Sequence, residues 1–192
     1  MVTGTSMEHT FVAYVEDKPG VLNRVASLFR RRAFNIESLA VGHTEQPGGS
    51  RMTLVVETDE FGARRLEANL YKLVNVLRVE DVTLEPSVVR DLALIKVAAD
   101  GSTRPQVMQL CDVFRARVVD VSNDSLIIEI TGTEDKLNSL VEVLRPFGII
   151  EMARTGIVAM RRSAAALNAN PPQIAAQLPA EHAHDAAVSY SV

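Results

Sequence analysis

Residues 8–85 carry apolar side chains at two different spacings, and the order of these spacings restricts the fold more than any other feature of the sequence. Phe11, Ala13 and Val15 occupy every second position, which predicts a β-strand. The next apolar residues recur at helical spacing and lie on one face of a predicted helix. They are Val21, Leu22, Val25, Leu28 and Phe29. Further strands and a second helical stripe complete the order β-α-β-β-α-β.

The other elements of this segment follow from the same two spacings. They are a strand over 35–41, a loop over 46–50, a strand over 52–57, a helix with Leu66, Leu70 and Leu73, and a strand over 76–84. In the last strand the alternation slips near Glu80 and Asp81, which indicates a bulge or a strand end.

The second half of the chain repeats this order. The predicted elements are a strand at 93–97, a helix from Val107 to Phe114, strands at 118–121 and 126–130, a helix from Leu137 to Leu144, and a strand region at 149–160. Residues 122–125 form a tight hairpin, and Pro146 with Gly148 ends the last helix. The string Leu28–Arg32 also resembles Val113–Arg117, 85 residues later, which favours a duplication.

These patterns predict an α+β fold of two ferredoxin-like βαββαβ domains, each with two helices on one face of an antiparallel sheet. The predicted parts are a flexible N-terminus (1–7), a first domain (8–85), a second domain (86–162) and a disordered, Ala- and Pro-rich tail (163–192). Each sheet has one face that its own helices do not cover, and the apolar run Leu126–Ile128 predicts that a partner buries this face or the sheet edge. A homodimer is the simplest such partner.

Composition excludes several classes of protein. The net charge of −4 argues against nucleic acid as the main partner. No apolar run approaches the ~20 residues of a membrane-spanning helix, and the first ten residues lack a secretory signal. Cys111 is the single cysteine, so the chain forms no intrachain disulfide. We therefore expect a cytoplasmic protein.

The sequence offers little for catalysis. Cys111 lies on the apolar stripe of a predicted helix, which favours a core residue over a nucleophile. His9 and His43 have no spaced ligand partner, and His182 with His184 makes a weak metal site in the tail. Neither a GxGxxG nor a P-loop pattern is present. We expect no catalytic residue, no metal site and no bound cofactor in this chain.

The turn Asp17-Lys18-Pro19-Gly20 leads directly into the first predicted helix. The first N–H groups of a helix have no helical partner and carry positive partial charge, so they can hold a carboxylate. Gly20 lets a ligand approach the backbone, and Asp17 can pair with an ammonium group. Val21 or Leu22 would supply an apolar wall for the ligand. The same turn is also an ordinary helix entry that needs no ligand.

The segment that begins at Val15 and continues through Gly20 to Phe29 resembles the start of an ACT domain. More specific strings then resemble the small regulatory subunit of acetolactate synthase (acetohydroxyacid synthase). They are Phe34–Leu39, Ser50–Thr53, Leu73–Leu77, Arg90–Val97, Phe114–Ala116 and Val119–Val121. The resemblance covers roughly residues 8–162.

The resemblance implies a subunit without activity of its own that binds a catalytic (large) subunit. That catalytic partner uses thiamine diphosphate, Mg and FAD to condense two 2-ketoacids on the route to valine, leucine and isoleucine. The small subunit raises the partner's activity and makes it sensitive to feedback by valine.

The resemblance also implies an effector site between two ACT domains of a dimer. By position, one protomer contributes the loop, and the adjoining protomer contributes Asn35 and Ile36. The predicted valine-binding residues are therefore Asp17, Lys18, Pro19, Gly20, Val21, Leu22, Asn35 and Ile36. At Asp17 some relatives carry Asn.

Two alternatives compete with this interpretation. One is a free-standing ACT-type amino-acid sensor that acts on another partner, against which the Asn35–Ser38 match argues. The other is a ferredoxin-like RNA-binding module, supported by Arg30–Arg32 but opposed by an aromatic content of 5%. We interpret the three arginines as a solvated helix end, with a contact to an acidic partner surface as the second reading.

Overall fold

The computed structural model describes residues 5–162. The predictions for the tail, with His182 and His184, and for residues 1–4 lie outside the described residues. The elements are β1 (Met7–Glu16), α1 (Val21–Arg32), β2 (Ser38–His43), β3 (Gly49–Thr58), α2 (Glu60–Leu70), β4 (Val76–Asp81), β5 (Ser87–Ala98), α3 (Arg104–Phe114), β6 (Arg117–Val121), β7 (Ser125–Gly132), α4 (Glu134–Leu144), a 3-10 turn (Arg145–Phe147), β8 (Ile149–Arg154) and β9 (Val158–Arg161).

The first sheet has the strand order β2-β3-β1-β4, with every neighbouring pair antiparallel. Helices α1 and α2 pack on one face of it, because the apolar stripe of each helix meets the inward side chains of the central strands. Phe11, Leu54 and Leu66 are fully buried in this core, and Phe29 is 1% exposed. Burial of each such side chain stabilises the fold by about 1.5–3 kcal/mol.

The second sheet repeats the plan with the order β6-β7-β5-β8, and α3 and α4 pack on one face. The predicted α+β fold with two ferredoxin-like units is therefore confirmed. The slip near Glu80 and Asp81 is the end of β4, and the hairpin at 122–125 closes through Ser122 N–H, which donates to Ser125 O at 2.9 Å.

Three boundaries differ from the predictions. Strand β2 begins at Ser38 rather than at Asn35, because only from Glu37 onward does the backbone reach β3 (Glu37 N–H to Val55 O, 2.9 Å). Helix α2 ends at Leu70, so Leu73 packs on the core from the following turn. The last strand region is two strands, since Gly156 (φ 82°) turns the chain between β8 and β9.

The internal repeat holds for the fold, but the predicted alignment is one helical turn out of step. The residues that end α1 and α3 are Ala33 (φ 56°) and Arg115 (φ 52°), and both are left-handed. They lie 82 positions apart rather than 85. The same separation relates the bulges after Tyr14 in β1 and after Lys96 in β5. The string Leu28–Arg32 therefore does not correspond to Val113–Arg117.

Strand β5 takes part in two separate sets of paired strands. Its residues from Asp91 onward pair with β7 and β8, whereas Ser87–Arg90 pairs with β9 in a two-stranded ribbon. Ala159 of this ribbon is fully buried against Val12 and Val82 of the first domain. Part of the first sheet's open face is thus covered by the chain itself, where we had predicted a partner.

Polar contacts hold this junction together. The Arg51 guanidinium donates to the Ala159 carbonyl, and Arg161 Nε lies 3.3 Å from Glu80 Oε2. Ile157 N–H donates to Ser38 Oγ at 2.8 Å. The two domains are consequently joined by side chains from both sheets and not only by the connecting segment.

Candidate functional site

The turn at residues 17–20 is held by backbone hydrogen bonds at the end of β1. Asp17 N–H donates to Gly48 O at 2.8 Å, and Lys18 N–H donates to Glu16 O at 3.0 Å. Gly48 itself lies in the β2–β3 loop. Pro19 and Gly20 then turn the chain into α1, which begins at Val21. The turn is therefore placed by the two central strands of the sheet.

The N-terminus of α1 has no side-chain cap. Gly20 occupies the N-cap position with φ 80° and ψ −2°, and it has no side chain that could accept a hydrogen bond. Val21 N–H donates to Lys18 O at 3.3 Å and Arg24 N–H to Gly20 O at 3.0 Å, but no hydrogen bond among residues 5–162 uses the N–H groups of Leu22 or Asn23. Two adjacent donors at the positive end of a helix can bind a carboxylate.

Asn75, which the sequence did not single out as functional, braces this turn from below. Its side-chain amide donates to Glu16 Oε2 at 2.5 Å, and its side-chain oxygen accepts from the Arg24 guanidinium. Its backbone oxygen accepts from Glu16 N–H at 2.9 Å. The amide of Asn75, with a further contribution from Lys18, holds the pKa of the Glu16 carboxyl below its ordinary value. The sequence feature that could have identified Asn75 is its polar side chain between the apolar residues Val74 and Val76.

The charged side chains of the turn already have partners. Asp17 Oδ2 lies 3.2 Å from His43 Nδ1, and Lys18 Nζ lies 3.1 Å from Glu16 Oε2. Both Asp17 and His43 are exposed, so a ligand ammonium can reach Asp17 from solvent. Sequence reasoning had identified Asp17 but not its contact with His43, because the contact depends on how β2 pairs with β3.

Of the two residues expected to form an apolar wall, only Leu22 is accessible. Val21 is 4% exposed and belongs to the core of the first domain, whereas Leu22 is 44% exposed. Val21 can therefore contribute its backbone but not its side chain. Leu22 lies beside the unpaired N–H groups and offers an apolar contact.

Asn35 and Ile36 lie at the opposite end of the same sheet. Glu16, next to the turn, pairs with Gly49 of β3, while Glu37, next to Asn35 and Ile36, bonds to Val55 of the same strand. The turn and these two residues are therefore separated by roughly 20 Å along β3. The Asn35 side chain is exposed and donates to the Glu37 carboxylate, and Ile36 packs partly on the core. One chain thus does not bring these residues to its own turn, and their role at the site remains a prediction that requires a second chain.

The residues considered for chemistry lie in structural positions. Cys111 is 3% exposed, and its burial, with Asp112 nearby, raises the pKa of the thiol. His9 is 5% exposed, with Nδ1 3.0 Å from Asp81 Oδ2. Residues 5–162 contain no group of three or more His, Cys, Asp or Glu side chains placed to hold a metal ion. No helix in this range is long and apolar enough to cross a membrane.

Two ferredoxin-like units in tandem, the first with a glycine turn at an uncapped helix, define a protein of the ACT-domain class. Residues 11–78 match the family described as "AHAS small subunit-like ACT domain", and residues 90–163 match "Small subunit of acetolactate synthase". The chain belongs to the family of acetolactate synthase small subunits.

Individual proteins agree with this assignment. The chain is 53% identical over 154 residues to the acetolactate synthase small subunit of Mycolicibacterium smegmatis, covering 80% of this chain and 91% of that protein. It is 53% identical over 156 residues to a probable acetolactate synthase small subunit of Archaeoglobus fulgidus, covering 81% and 98%. The crystal structure of the small subunit from Thermotoga maritima superposes with a TM-score of 0.77 at 43% identity, covering 82% of this chain and 98% of that one.

Proposed function

We propose that this chain binds the catalytic subunit of acetolactate synthase, raises its activity and makes it sensitive to feedback inhibition by valine. Membership in the small-subunit family, across nearly the whole length of the relatives, carries the proposal. The chain itself contributes no catalytic group to the condensation of 2-ketoacids. Its action is regulatory and passes through contacts with the partner.

Valine binds at the turn before α1. Its carboxylate accepts hydrogen bonds from the N–H groups of Leu22 and Asn23, where the helix carries positive partial charge. Its ammonium group pairs with Asp17, and its side chain contacts Leu22. The turn is exposed in a single chain, so a second protomer, docked through the ACT domains, completes the site with Asn35 and Ile36.

The cofactors of the reaction belong to the partner. Thiamine diphosphate, Mg and FAD are bound by the catalytic subunit, and this chain binds none of them. The complex works in the cytoplasm, where branched-chain amino acids are made. What the small subunit changes is the conformational equilibrium of the partner, and valine changes it again by binding the docked form with different affinity.

Reconstitution with the catalytic subunit of the same organism tests this proposal. Acetolactate formation is measured with the catalytic subunit alone, with this chain added, and with valine, leucine and isoleucine titrated into the mixture. We expect a rate increase on addition of the chain and a decrease on addition of valine. The matched control is the chain with Gly20→Asp, which should still raise the rate but respond weakly to valine.

A parallel measurement isolates the effector site from the partner. Valine at saturating concentration should raise the melting temperature of the chain alone, because a ligand that binds only the folded state stabilises it. Absence of both the rate increase and the valine response would refute the proposal. A valine-dependent melting shift without any effect on the enzyme would instead favour a free-standing amino-acid sensor.

A further inference from the structure

A groove runs between α1 and α2 on the helical face of the first domain. It has a volume of about 380 Å³ and is lined by Leu28, Arg31, Arg32, Asn69, Lys72 and Leu73. Leu28 is buried and Leu73 is partly buried, so the floor is apolar. Asn69 of α2 links the two helices, because its side-chain oxygen accepts a hydrogen bond from Arg32 of α1 at 3.3 Å. Its side-chain amide donates to the Arg65 backbone oxygen within α2 at 2.6 Å.

The rim of this groove is basic and has no carboxylate to balance it. No ion pair of the described residues includes the rim residues Arg31, Arg32 and Lys72, or Arg65 one turn before Asn69, whereas Arg64 of α2 pairs with Glu60. This local excess of positive charge contrasts with the net charge of the whole chain, which is −4. An unbalanced basic surface on an acidic protein attracts an acidic partner by charge complementarity.

Helix dipoles account for only part of this arrangement. Cations stabilise the C-terminal turn of a helix, which would explain Arg31 and Arg32 in α1, or Lys72 just after α2, each on its own. The C-terminal ends of both helices reach the groove, since Arg32 at the end of α1 donates to Asn69 at the end of α2 at 3.3 Å, and their preference for cations therefore acts in one place. Arg65 does not line the groove, but it lies one turn before Asn69 in the middle of α2, where the dipole of a helix end does not act.

An exposed aromatic residue extends the surface along α2. Phe61, Arg65, Asn69 and Lys72 follow one another at helical spacing and form one stripe. The Phe61 side chain is 68% exposed, and the Arg65 guanidinium carbon lies 5.6 Å from the centre of its ring. Exposed aromatic and arginine side chains beside an apolar groove are the composition of interface hot spots.

We propose that this surface, which we call the α1–α2 groove, is where the chain docks on the acidic surface of the catalytic subunit. This inference rests on the function proposed above. Carboxylates of the partner pair with Arg31, Arg32 and Lys72, and an apolar side chain of the partner enters the groove over Leu28 and Leu73. The groove lies beside α1, whose N-terminus is the valine-binding turn, so one helix connects the effector to the docked enzyme.

Charge reversal in the groove tests the proposal. The variant Arg31→Glu/Lys72→Glu is compared with Arg30→Glu/Arg115→Glu, which changes the net charge equally. Arg30 lies on the same helix but does not line the groove, and Arg115 ends α3 in the second domain. Affinity for the catalytic subunit is measured by calorimetry at low and at high salt, and the melting shift with valine is measured on each chain alone.

We expect the groove variant to bind the catalytic subunit about tenfold or more weakly, with a smaller salt dependence, while the control pair stays within about twofold of the wild type. Both variants should keep the valine melting shift. If the reversal lowers the melting temperature, Arg31→Gln/Lys72→Gln replaces it, and a loss of about threefold is expected because the positive charge is removed but not inverted.

Three outcomes separate the alternatives. A wild-type chain that does not bind the enzyme refutes the proposed function itself. A wild-type chain that binds, with a groove variant that binds equally well, overturns the docking assignment and leaves the function intact. Binding of pyrophosphate to the chain alone that the groove variant loses, with enzyme affinity unchanged, assigns the groove to a small anion instead.

Discussion

The side-chain amide of Asn75 donates to the Glu16 carboxylate with 2.5 Å between Nδ2 and Oε2, and so ties the segment before β4 to the end of β1. Asn75 is 7% exposed, and it also accepts from Arg24 on the first turns of α1. One buried amide thus fixes the strand and the helix on either side of the turn at residues 17–20. The geometry of the turn depends on this residue.

Replacement of Asn75 should destabilise the fold and loosen the turn. Asn75→Ala removes two hydrogen bonds to charged groups, so we expect a loss of about 1–3 kcal/mol in the free energy of unfolding. The valine melting shift should fall as well, because the unpaired N–H groups lose their fixed position. Urea unfolding measures the first effect. As a control, Asn138→Ala removes an exposed contact to Arg154 and should cost less than about 0.5 kcal/mol.

The hydrogen bond to Glu16 also predicts a pH dependence. Because the folded-state pKa of Glu16 lies below its ordinary value of 4.5, the ionised carboxylate contributes stability above that pH. This contribution is lost as the pH falls below 4.5 and through the folded-state pKa. Wild type and Asn75→Ala should therefore differ most in melting temperature near neutral pH and converge in acid. A difference that stays constant down to acid pH would contradict the assignment.

Two substitutions at Gly20 separate backbone strain from charge. A Cβ at Gly20 would meet no atom within 4 Å, so the cost of Asn or Asp there is the left-handed backbone, about 1 kcal/mol. Gly20→Asp adds a negative charge beside the N–H groups that we propose receive the valine carboxylate, whereas Gly20→Asn does not. We expect Gly20→Asn to reduce the valine melting shift modestly and Gly20→Asp to reduce it strongly. Equal shifts would remove the helix N-terminus from the site.

Gly156 controls the junction between the two domains. A Cβ there would lie 2.8 Å from Ser38 Oγ and 3.3 Å from the Leu39 carbonyl oxygen, on a residue with φ 82°. Gly156→Ala should cost about 1–3 kcal/mol from overpacking and strain, and it should break the bond from Ile157 N–H to Ser38. Thermal unfolding measures the loss. Gly101→Ala, in an exposed turn with open space at its Cβ, is the control and should be nearly neutral.

The order of strands and helices could be predicted because it depends on local spacing. Residues such as Phe11, Ala13 and Val15 report which side of a strand is buried wherever the rest of the chain lies. The glycine turn could likewise be predicted, since glycine is favoured where φ is positive, as it is at Gly20. These features are encoded within a few residues of the positions that they describe.

The remaining features depend on contacts between distant segments. The brace from Asn75 to Glu16 spans 59 positions, and the bond from Ile157 to Ser38 spans 119. Apolar spacing identified the exposed face of the first sheet but not its cover, which is the ribbon containing Ala159. The repeat was aligned one turn off because its five-residue string matches by composition, whereas the left-handed helix ends at Ala33 and Arg115 give the structural correspondence.

Strand β5 has consequences for how chains of this family can change in length. Val89 faces the first domain from the ribbon, and Ala93 and Ile95 face the second core, all on the same side of one continuous strand. An insertion of one residue near Arg90 would turn one of these sets to the opposite side, and no repacking within a single domain could restore it. An insertion in the β2–β3 loop would lengthen only an exposed turn. We expect length variation among relatives to collect in such loops and to spare β5.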